Sequence, residues 1–191
     1  MRLSYLESPQ MQLAFVQLFE SFRQKDYSLN KRMLKNWIVT TQAVKAGSDG
    51  VMARERYILA SQHSNHKNTE ALISLFGSEK TSQRIAIEGE KFRLKQKLEQ
   101  RKGGRPLSSY AMEFCLTLPK GYRPSILQWK LIIQDCCKAL ATHLQLSHED
   151  KLQFSKQIRA VCHQQNQLGK TGSGDHIHLI IGKVVAGRVL S

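Results

Sequence analysis

The sequence lacks any run of about 18–20 consecutive apolar residues, the length that a helix needs to span a membrane. Residues 1–8 also lack the long apolar stretch of a secretory signal. Only four cysteines occur, and none forms a CxxC pair, so neither a disulfide framework nor a cysteine-based zinc finger is expected. Reduced, buried cysteines and a cytoplasmic location fit this pattern best.

Acidic residues are also scarce, because 15 aspartates and glutamates face 29 lysines and arginines, giving a formal net charge of +14. A basic surface of this size attracts polyanions, and DNA or RNA is the first such partner to consider. A merely basic or ribosome-associated protein remains an alternative, and so does an anionic membrane surface. No basic amphipathic helix with exposed aromatic residues favours the membrane. We therefore expect a nucleic acid partner and no membrane insertion.

The apolar pattern predicts a chain in which strands and helices are interspersed. Strands are predicted at 35–44, 109–119, 157–163 and 176–185. Helices are predicted from Ser8 to about Arg23, at 51–61, at 83–101 and at 124–144, with a short helix after Ser147. Residues 45–50 contain two glycines and are predicted to break the chain between the first strand and the helix that follows.

This order of elements predicts an α+β fold, with a mainly antiparallel central sheet flanked by helices. The length suits a single domain covering residues 1–191. Residues 1–35 are interpreted as an N-terminal helical extension. Residues 78–106 are rich in charge and are interpreted as a helical insertion or arm with a solvated surface.

The most informative residues are three histidines near the end of the chain. His176 and His178 flank one isoleucine in a predicted strand, so their side chains point to the same face of the sheet. If the two last strands pair antiparallel across the glycine-rich turn, His163 lies beside them. Three imidazoles can hold a divalent metal and leave coordination positions open. The alternative is a pair of partly exposed histidines that bind nothing.

Two acidic residues lie close to this cluster in the predicted fold. Asp175 is interpreted as a turn residue, with the orientation of a histidine as the alternative. Glu113 is the only charged residue in its apolar strand. It either orients a histidine or lies at a sheet edge with its carboxylate solvated or paired.

A metal bound by these histidines could polarise a phosphodiester of the expected nucleic acid partner. Cleavage of that phosphodiester then needs an attacking group, either water or a tyrosine. Tyr57 is the preferred tyrosine, because it follows Arg54 and Arg56 in a basic helix. The alternative places its ring in the core. Tyr27 is a weaker candidate, and Tyr110 and Tyr122 are interpreted as structural.

Basic residues around Tyr57 are candidates for contact with DNA: Arg54, Arg56, His63, His66 and Lys67. The two histidines of this set are interpreted as exposed loop residues that contact the DNA backbone. One of them could instead be a nucleophile or a metal ligand.

Four segments together resemble the catalytic domain of plasmid mobilisation relaxases, the single-strand endonucleases of the HUH class. They are a strand followed by the tyrosine-bearing helix, the strand 113–119 of the form Glu-Phe-x-Leu-x-Leu-Pro, the segment Ala-Val-x-His at 160–163, and His-x-His at 176–178 with apolar followers. The resemblance covers roughly residues 36–186, and its last two segments are the most specific. It implies the sandwich fold that relaxases share with rolling-circle replication initiators.

The resemblance also implies a function for each matched residue. His163, His176 and His178 would bind a divalent metal, Mg²⁺ or Mn²⁺, with Zn²⁺ as another possibility. Tyr57 would cut one DNA strand at a transfer origin and remain bound to the 5′ phosphate, leaving a free 3′ hydroxyl for strand transfer in conjugation or mobilisation. Single-stranded DNA would be the main partner, with accessory mobilisation proteins as possible others.

The order of the motifs distinguishes relaxases from rolling-circle replication initiators of the same class. Rolling-circle initiators place their tyrosine after the histidine pair, whereas no tyrosine follows His178 here. The order is therefore that of relaxases, which often carry further C-terminal domains, so the chain is compatible with a catalytic domain of a longer protein. A replication initiator or transposase of the same chemistry remains an alternative, as does a non-catalytic basic nucleic-acid-binding module.

Overall fold

The computed structural model describes residues 38–99, 106–168 and 172–190. The predicted N-terminal helix, the first residues of the first predicted strand and part of the glycine-rich turn after His163 lie outside these ranges.

The described residues form an α+β fold, as the sequence predicts. The helices are α1 (Gly47–Leu59), α2 (Glu79–Leu98), α3 (Ile126–His143) and α4 (His148–Ser155). The longer strands are β1 (Ile38–Val44), β2 (Thr69–Phe76), β3 (Ala111–Thr117), β4 (Ile158–Gln165) and β5 (His176–Gly182). Two short strands, β6 (Val184–Val185) and β7 (Arg188–Val189), pair with each other near the end of the chain.

The five longer strands form one sheet in the order β1-β3-β5-β4-β2, and every neighbouring pair is antiparallel. The mainly antiparallel central sheet is therefore confirmed. Strand β2 was not predicted, because in the sequence it is visible only as a short apolar segment at 71–76. It takes the edge of the sheet beside β4, opposite the edge formed by β1.

The two faces of the sheet carry separate hydrophobic cores because strand side chains alternate. One core lies under α3 and α4 and includes Trp129, Phe154 and Ile177, all buried. The other lies under α1 and α2 and includes Ile58 and Ile180. Residues at even numbers in β5 face α1, so the sheet presents the two histidines of this strand on the α1 side.

The predicted break after the first strand is observed at residues 45–46, but it is shorter than predicted, because Gly47 already begins α1. The glycines here allow close packing. Gly47 has a φ of +55° and lies against the ring of Tyr110. A Cβ at Gly50 would lie 1.6 Å from the carbonyl oxygen of Lys45, so only glycine fits there. Glycine in this segment therefore marks the first turn of a helix that is tightly packed against its surroundings.

The helix predicted at 83–101 is confirmed in type and observed as α2. Most of its side chains are exposed, but Ile85 and Ala86 are buried against α1 and the sheet. Gly89 packs so closely on Tyr110 that a Cβ would lie 2.2 Å from the ring. The helix is thus not solvated on all sides, and its interpretation as an insertion or arm stays a prediction.

Cys136, Cys137 and Cys162 are buried and free, whereas Cys115 is free and half-buried. This agrees with the expectation that the chain has no disulfide framework. Within the described ranges, no helix has both the length and the apolar character needed to cross a bilayer.

Candidate metal and nucleophile site

Three histidines converge at the centre of the sheet, as the sequence predicts. Strands β4 and β5 pair antiparallel, and this register places His163 directly opposite His176. The ring centroids of His163, His176 and His178 lie 4.5–5.1 Å apart. One nitrogen from each ring can be chosen so that all three lie within 4.8 Å of one another. The three residues together could hold a metal ion, and they are called the histidine triad below.

The hydrogen bonds of the triad leave ring nitrogens free to bind an ion. Nε2 of His163 lies 2.9 Å from the carbonyl oxygen of Ile58, and Nδ1 of His178 lies 2.7 Å from the carboxylate of Glu113. A carbonyl or carboxylate oxygen can only accept, so these ring nitrogens donate. The opposite nitrogens, Nδ1 of His163 and Nε2 of His178, are buried and have no partner among the described residues. Such nitrogens carry lone pairs, which is the state that a metal ligand requires.

His176 follows the same pattern with a longer contact, since its Nδ1 lies 3.3 Å from the carbonyl oxygen of Gly174. A neutral three-imidazole donor set of this kind fits a divalent transition-metal ion with open coordination positions.

Glu113 orients the triad from the neighbouring strand. It lies on β3, which has a strand on each side, so the interpretation as a sheet-edge residue is wrong. Its buried carboxylate accepts hydrogen bonds from His178, from Arg54 at 2.6–2.8 Å and from the side chain of Gln42. Burial raises the pKa of Glu113, but the hydrogen bonds of His178 and Arg54 outweigh this effect and bring the pKa down to about 2.

Burial dominates the titration of two triad members. Desolvation of the charged form, together with the smaller effects of the neighbouring His178 and His176, lowers the pKa of His163 to about 3. Desolvation and His178 likewise lower the pKa of His176 to about 4. Both rings are therefore neutral at physiological pH, as metal ligands must be.

These pKa values predict that the metal-free protein loses stability in mild acid. Between the pKa of an unfolded histidine, about 6.5, and the folded values, the unfolded chain binds protons that the folded chain excludes. Each of the two rings is therefore expected to lower the free energy of unfolding by about 3 kcal/mol between pH 7 and pH 4. Urea unfolding in the presence of EDTA, repeated across this pH range, measures the change.

His176→Gln is expected to reduce this pH dependence by roughly half, because His163 still contributes. His148→Gln, a change at an exposed helix residue, is expected to leave it unaltered. A wild-type free energy of unfolding that stays constant from pH 7 to pH 4.5 would contradict the prediction.

Tyr57 lies next to the triad. It occupies the last turns of α1, and its ring centroid is 5.9 Å from that of His178. His63 and His66 each lie 4.8 Å from it, and the guanidinium carbon of Arg54 lies 4.2 Å above its ring. The ring is half-buried, and it contacts imidazoles and a guanidinium as well as the core under α1 and α2. The alternative of a tyrosine with its ring in the core is therefore correct in part.

Two other tyrosines of the described ranges are remote from this arrangement. Tyr110 is fully buried between α1, α2 and the sheet, and Tyr122 packs against the core under α3. Tyr27 lies outside the described residues.

The candidate DNA-contact residues fall into different surroundings. Arg56 and Lys67 are exposed, as expected. Arg54 forms an ion pair with Glu113 at 2.6 Å, and its side chain is 23% exposed. Its charge is therefore paired within the site and is not free on the surface. His63 is half-buried, and its Nδ1 accepts a hydrogen bond from the backbone N–H of Asn65.

His66 departs most from expectation, because it is only 4% exposed and is not an exposed loop residue. It ends a short 3-10 turn, Ser64–His66, that follows α1. Its ring fills the space between Tyr57 and His163 and contacts both.

Asp175 is a fully buried turn residue. It accepts hydrogen bonds from the backbone N–H of Gln165 at 2.8 Å, from the side chain of Gln167 at 2.8 Å and from Arg123 at 3.0 Å. These contacts hold the two ends of the β4–β5 connection together, so the turn interpretation describes this residue.

One feature missed at the sequence level anchors the tyrosine helix. Glu55 in α1 forms a bidentate ion pair with Arg159 in β4, and both side chains are almost fully buried. The signal that singled out Glu113, a lone charge in an apolar strand, is also present at Arg159 and could have identified it.

Comparison with known protein-family models gives no match. No curated protein matches the chain either. The geometry of the site therefore carries the functional argument alone.

Proposed function

We propose that this protein is a DNA relaxase that nicks one strand at a plasmid or mobile-element transfer origin by tyrosine transesterification. The observation that carries the proposal is the position of Tyr57 beside three histidines, each of which has a ring nitrogen within 4.8 Å of a ring nitrogen of the other two. Tyrosine supplies a nucleophile, and the histidine triad supplies a site for the metal that such chemistry uses.

A divalent ion would be held by His163, His176 and His178, and when bound it would withdraw charge from the scissile phosphate. The chain prepares this site in two ways. The carboxylate of Glu113 accepts the hydrogen bond of Nδ1 of His178, which leaves the lone pair on the buried Nε2. The backbone carbonyl of Ile58, one residue after Tyr57, does the same for His163. The nucleophile helix and the triad are thus joined by a direct hydrogen bond.

The covalent step exchanges one phosphodiester for another. The phenolic oxygen of Tyr57 attacks phosphorus and forms a new P–O bond while the bond from phosphorus to the 3′ oxygen breaks. The phenol loses its proton to solvent, and the departing 3′ oxygen gains one, so no net proton is consumed. The products are a 5′-phosphotyrosyl linkage and a free 3′ hydroxyl, and the reverse step religates the strand.

Arg54 positions Tyr57 for this step. Its guanidinium lies over the phenol ring and is itself fixed by Glu113. A positive charge held in place beside the phenol stabilises the negative charge that develops on the attacking oxygen and phosphate. Arg54 is therefore assigned to the site rather than to the surface path of the DNA.

Positively charged residues outside the site are suited to bind single-stranded DNA. Arg56 and Lys67 are exposed near Tyr57, and the net charge of the chain is +14. Binding is expected to weaken steeply as salt rises. The proposed setting is the cytoplasm, with single-stranded origin DNA as the partner and accessory mobilisation proteins as further partners.

A covalent-adduct assay tests the proposal. The full chain is incubated with a randomised single-stranded oligonucleotide library labelled at the 3′ end, because the 3′ fragment carries the phosphate that joins the tyrosine. We expect a labelled protein band on a denaturing gel with Mn²⁺ or Mg²⁺, and no band with EDTA or with the annealed duplex. Salt-sensitive binding without an adduct would overturn the proposal and favour a non-catalytic nucleic-acid-binding module.

A further inference from the structure

The imidazole of His66 is unusual because it is buried beside the triad without belonging to either strand that carries the triad. Its ring centroid lies 4.7 Å from that of His163. The same separations within the triad are 4.5–5.1 Å. His66 thus extends the cluster of rings by one member, on the side that faces Tyr57.

The hydrogen bonds of His66 repeat those of the triad. Its Nδ1 lies 2.7 Å from the carbonyl oxygen of Ala60 and therefore donates, which leaves Nε2 with a lone pair. Nε2 is buried and has no partner among the described residues, as is also true of Nδ1 of His163 and Nε2 of His178. Leaving a buried polar atom without a partner costs roughly 1–3 kcal/mol, so three such nitrogens in one cluster indicate a missing common partner.

We propose that His66 is a fourth nitrogen ligand of the metal site. The inference rests on the metal site of the proposed function and extends it. In the structure, the atoms that lie within 4.8 Å of one another come from the triad alone. Coordination therefore requires the ring of His66 to move toward the ion. The residue sits on a short 3-10 turn rather than in the sheet, so this movement disturbs no strand pairing.

The neighbouring His63 does not share these properties. Its Nδ1 caps the same turn by accepting from the backbone N–H of Asn65, and its side chain is half-buried. His63 is therefore a matched control, because it is also a histidine in contact with Tyr57 but has a different hydrogen-bonding role.

A fourth imidazole changes which metal the site prefers. Imidazole nitrogen is a good ligand for Zn²⁺, Ni²⁺ and Co²⁺, whereas Mg²⁺ prefers oxygen ligands and retains its waters. Four nitrogen donors in a six-coordinate site still leave two positions for phosphate oxygens. The site is therefore selective for transition-metal ions over Mg²⁺.

Nuclear magnetic resonance of the full chain with ¹⁵N-labelled histidine tests the assignment without any variant. Adding one equivalent of Zn²⁺ should shift Nε2 of His66 together with one ring nitrogen of each triad histidine, while the ring of His63 shows no metal-bound nitrogen. Shifts of the three triad rings without His66 would overturn the four-ligand site and leave the proposed function intact. Shifts of none of the four would remove the metal site, and with it the metal-dependent mechanism.

Two variants extend the test to affinity. His66→Ala is expected to weaken Zn²⁺ binding about tenfold or more, measured by competition with a chelator, and to reduce the preference for Zn²⁺ over Mg²⁺. His63→Ala is expected to change both quantities by less than about twofold. Equal losses in the two variants would contradict a ligand role for His66. Circular dichroism shows whether each variant is folded. If His66→Ala is unfolded, the nuclear magnetic resonance spectra of the wild-type protein decide whether His66 binds the metal.

Discussion

Tyr57→Phe is expected to abolish the phosphotyrosyl adduct, with a fall in rate of about 10³-fold or more, because the substitution removes the attacking oxygen and little else. The aromatic ring remains, so its contacts with Arg54, His63 and His66 are preserved. The histidine triad is untouched, so metal affinity and DNA affinity should both stay close to those of the wild type. The denaturing-gel assay measures the adduct, and salt-dependent DNA binding is measured in parallel.

Tyr122→Phe makes the same chemical change on the other face of the sheet. Its ring packs against the core under α3, and it is expected to leave the adduct at wild-type levels. An adduct that persists in Tyr57→Phe would contradict the assignment and would move the nucleophile to another residue.

Arg159→Met is expected to destabilise the protein by about 3–5 kcal/mol, because it leaves the carboxylate of Glu55 buried and without its counter-ion. Arg159 and Glu55 are 1% and 2% exposed, and their paired atoms lie 3.0–3.1 Å apart. Ser82 also donates to Glu55 at 2.7 Å, but a hydroxyl cannot replace a guanidinium. Since typical domains are stable by about 5–15 kcal/mol, this is a large share of the total.

Urea unfolding followed by circular dichroism measures this effect. Lys91→Ala removes a surface ion pair with Glu88, in which the lysine side chain is 68% exposed, and should change stability by less than about 1 kcal/mol. The double variant Glu55→Leu with Arg159→Met should recover much of the loss, because a buried pair of apolar residues needs no charge compensation. A loss of under about 1 kcal/mol in Arg159→Met would contradict the buried-anchor interpretation.

The ion pair between Glu55 and Arg159 also helps to position Tyr57, the proposed nucleophile. Arg54 and Glu55 are adjacent in α1, and each forms an ion pair with a different strand of the sheet, Arg54 with Glu113 and Glu55 with Arg159. Two such contacts fix the rotation of the helix about its own axis. The position of Tyr57 relative to the triad follows from that rotation.

The histidine triad could be predicted from the sequence because its determinants are local. The two-residue period of a strand places His176 and His178 on one face. A short connection between antiparallel strands then places His163 beside them, and the observed register confirms this. The antiparallel sheet and the free cysteines were predictable on similar grounds.

Contacts between distant segments could not be predicted in the same way. Glu55 and Arg159 are 104 residues apart, and Arg54 and Glu113 are 59 apart, so nothing in local periodicity pairs them. The sequence around His66 is polar and predicts exposure. Its burial arises because the 3-10 turn folds back between Tyr57 and His163. The start of α1 was missed because glycine usually interrupts helices, whereas here it permits close contacts with Tyr110 and Lys45.

The central claim is that the histidine triad binds one divalent ion within reach of the phenol of Tyr57. Anomalous X-ray diffraction from crystals of the full chain grown with Zn²⁺ tests it most directly. The account predicts a single strong anomalous peak about 2 Å from one ring nitrogen of each of His163, His176 and His178. A peak elsewhere, or crystals at saturating zinc with no peak at these three rings, would contradict it.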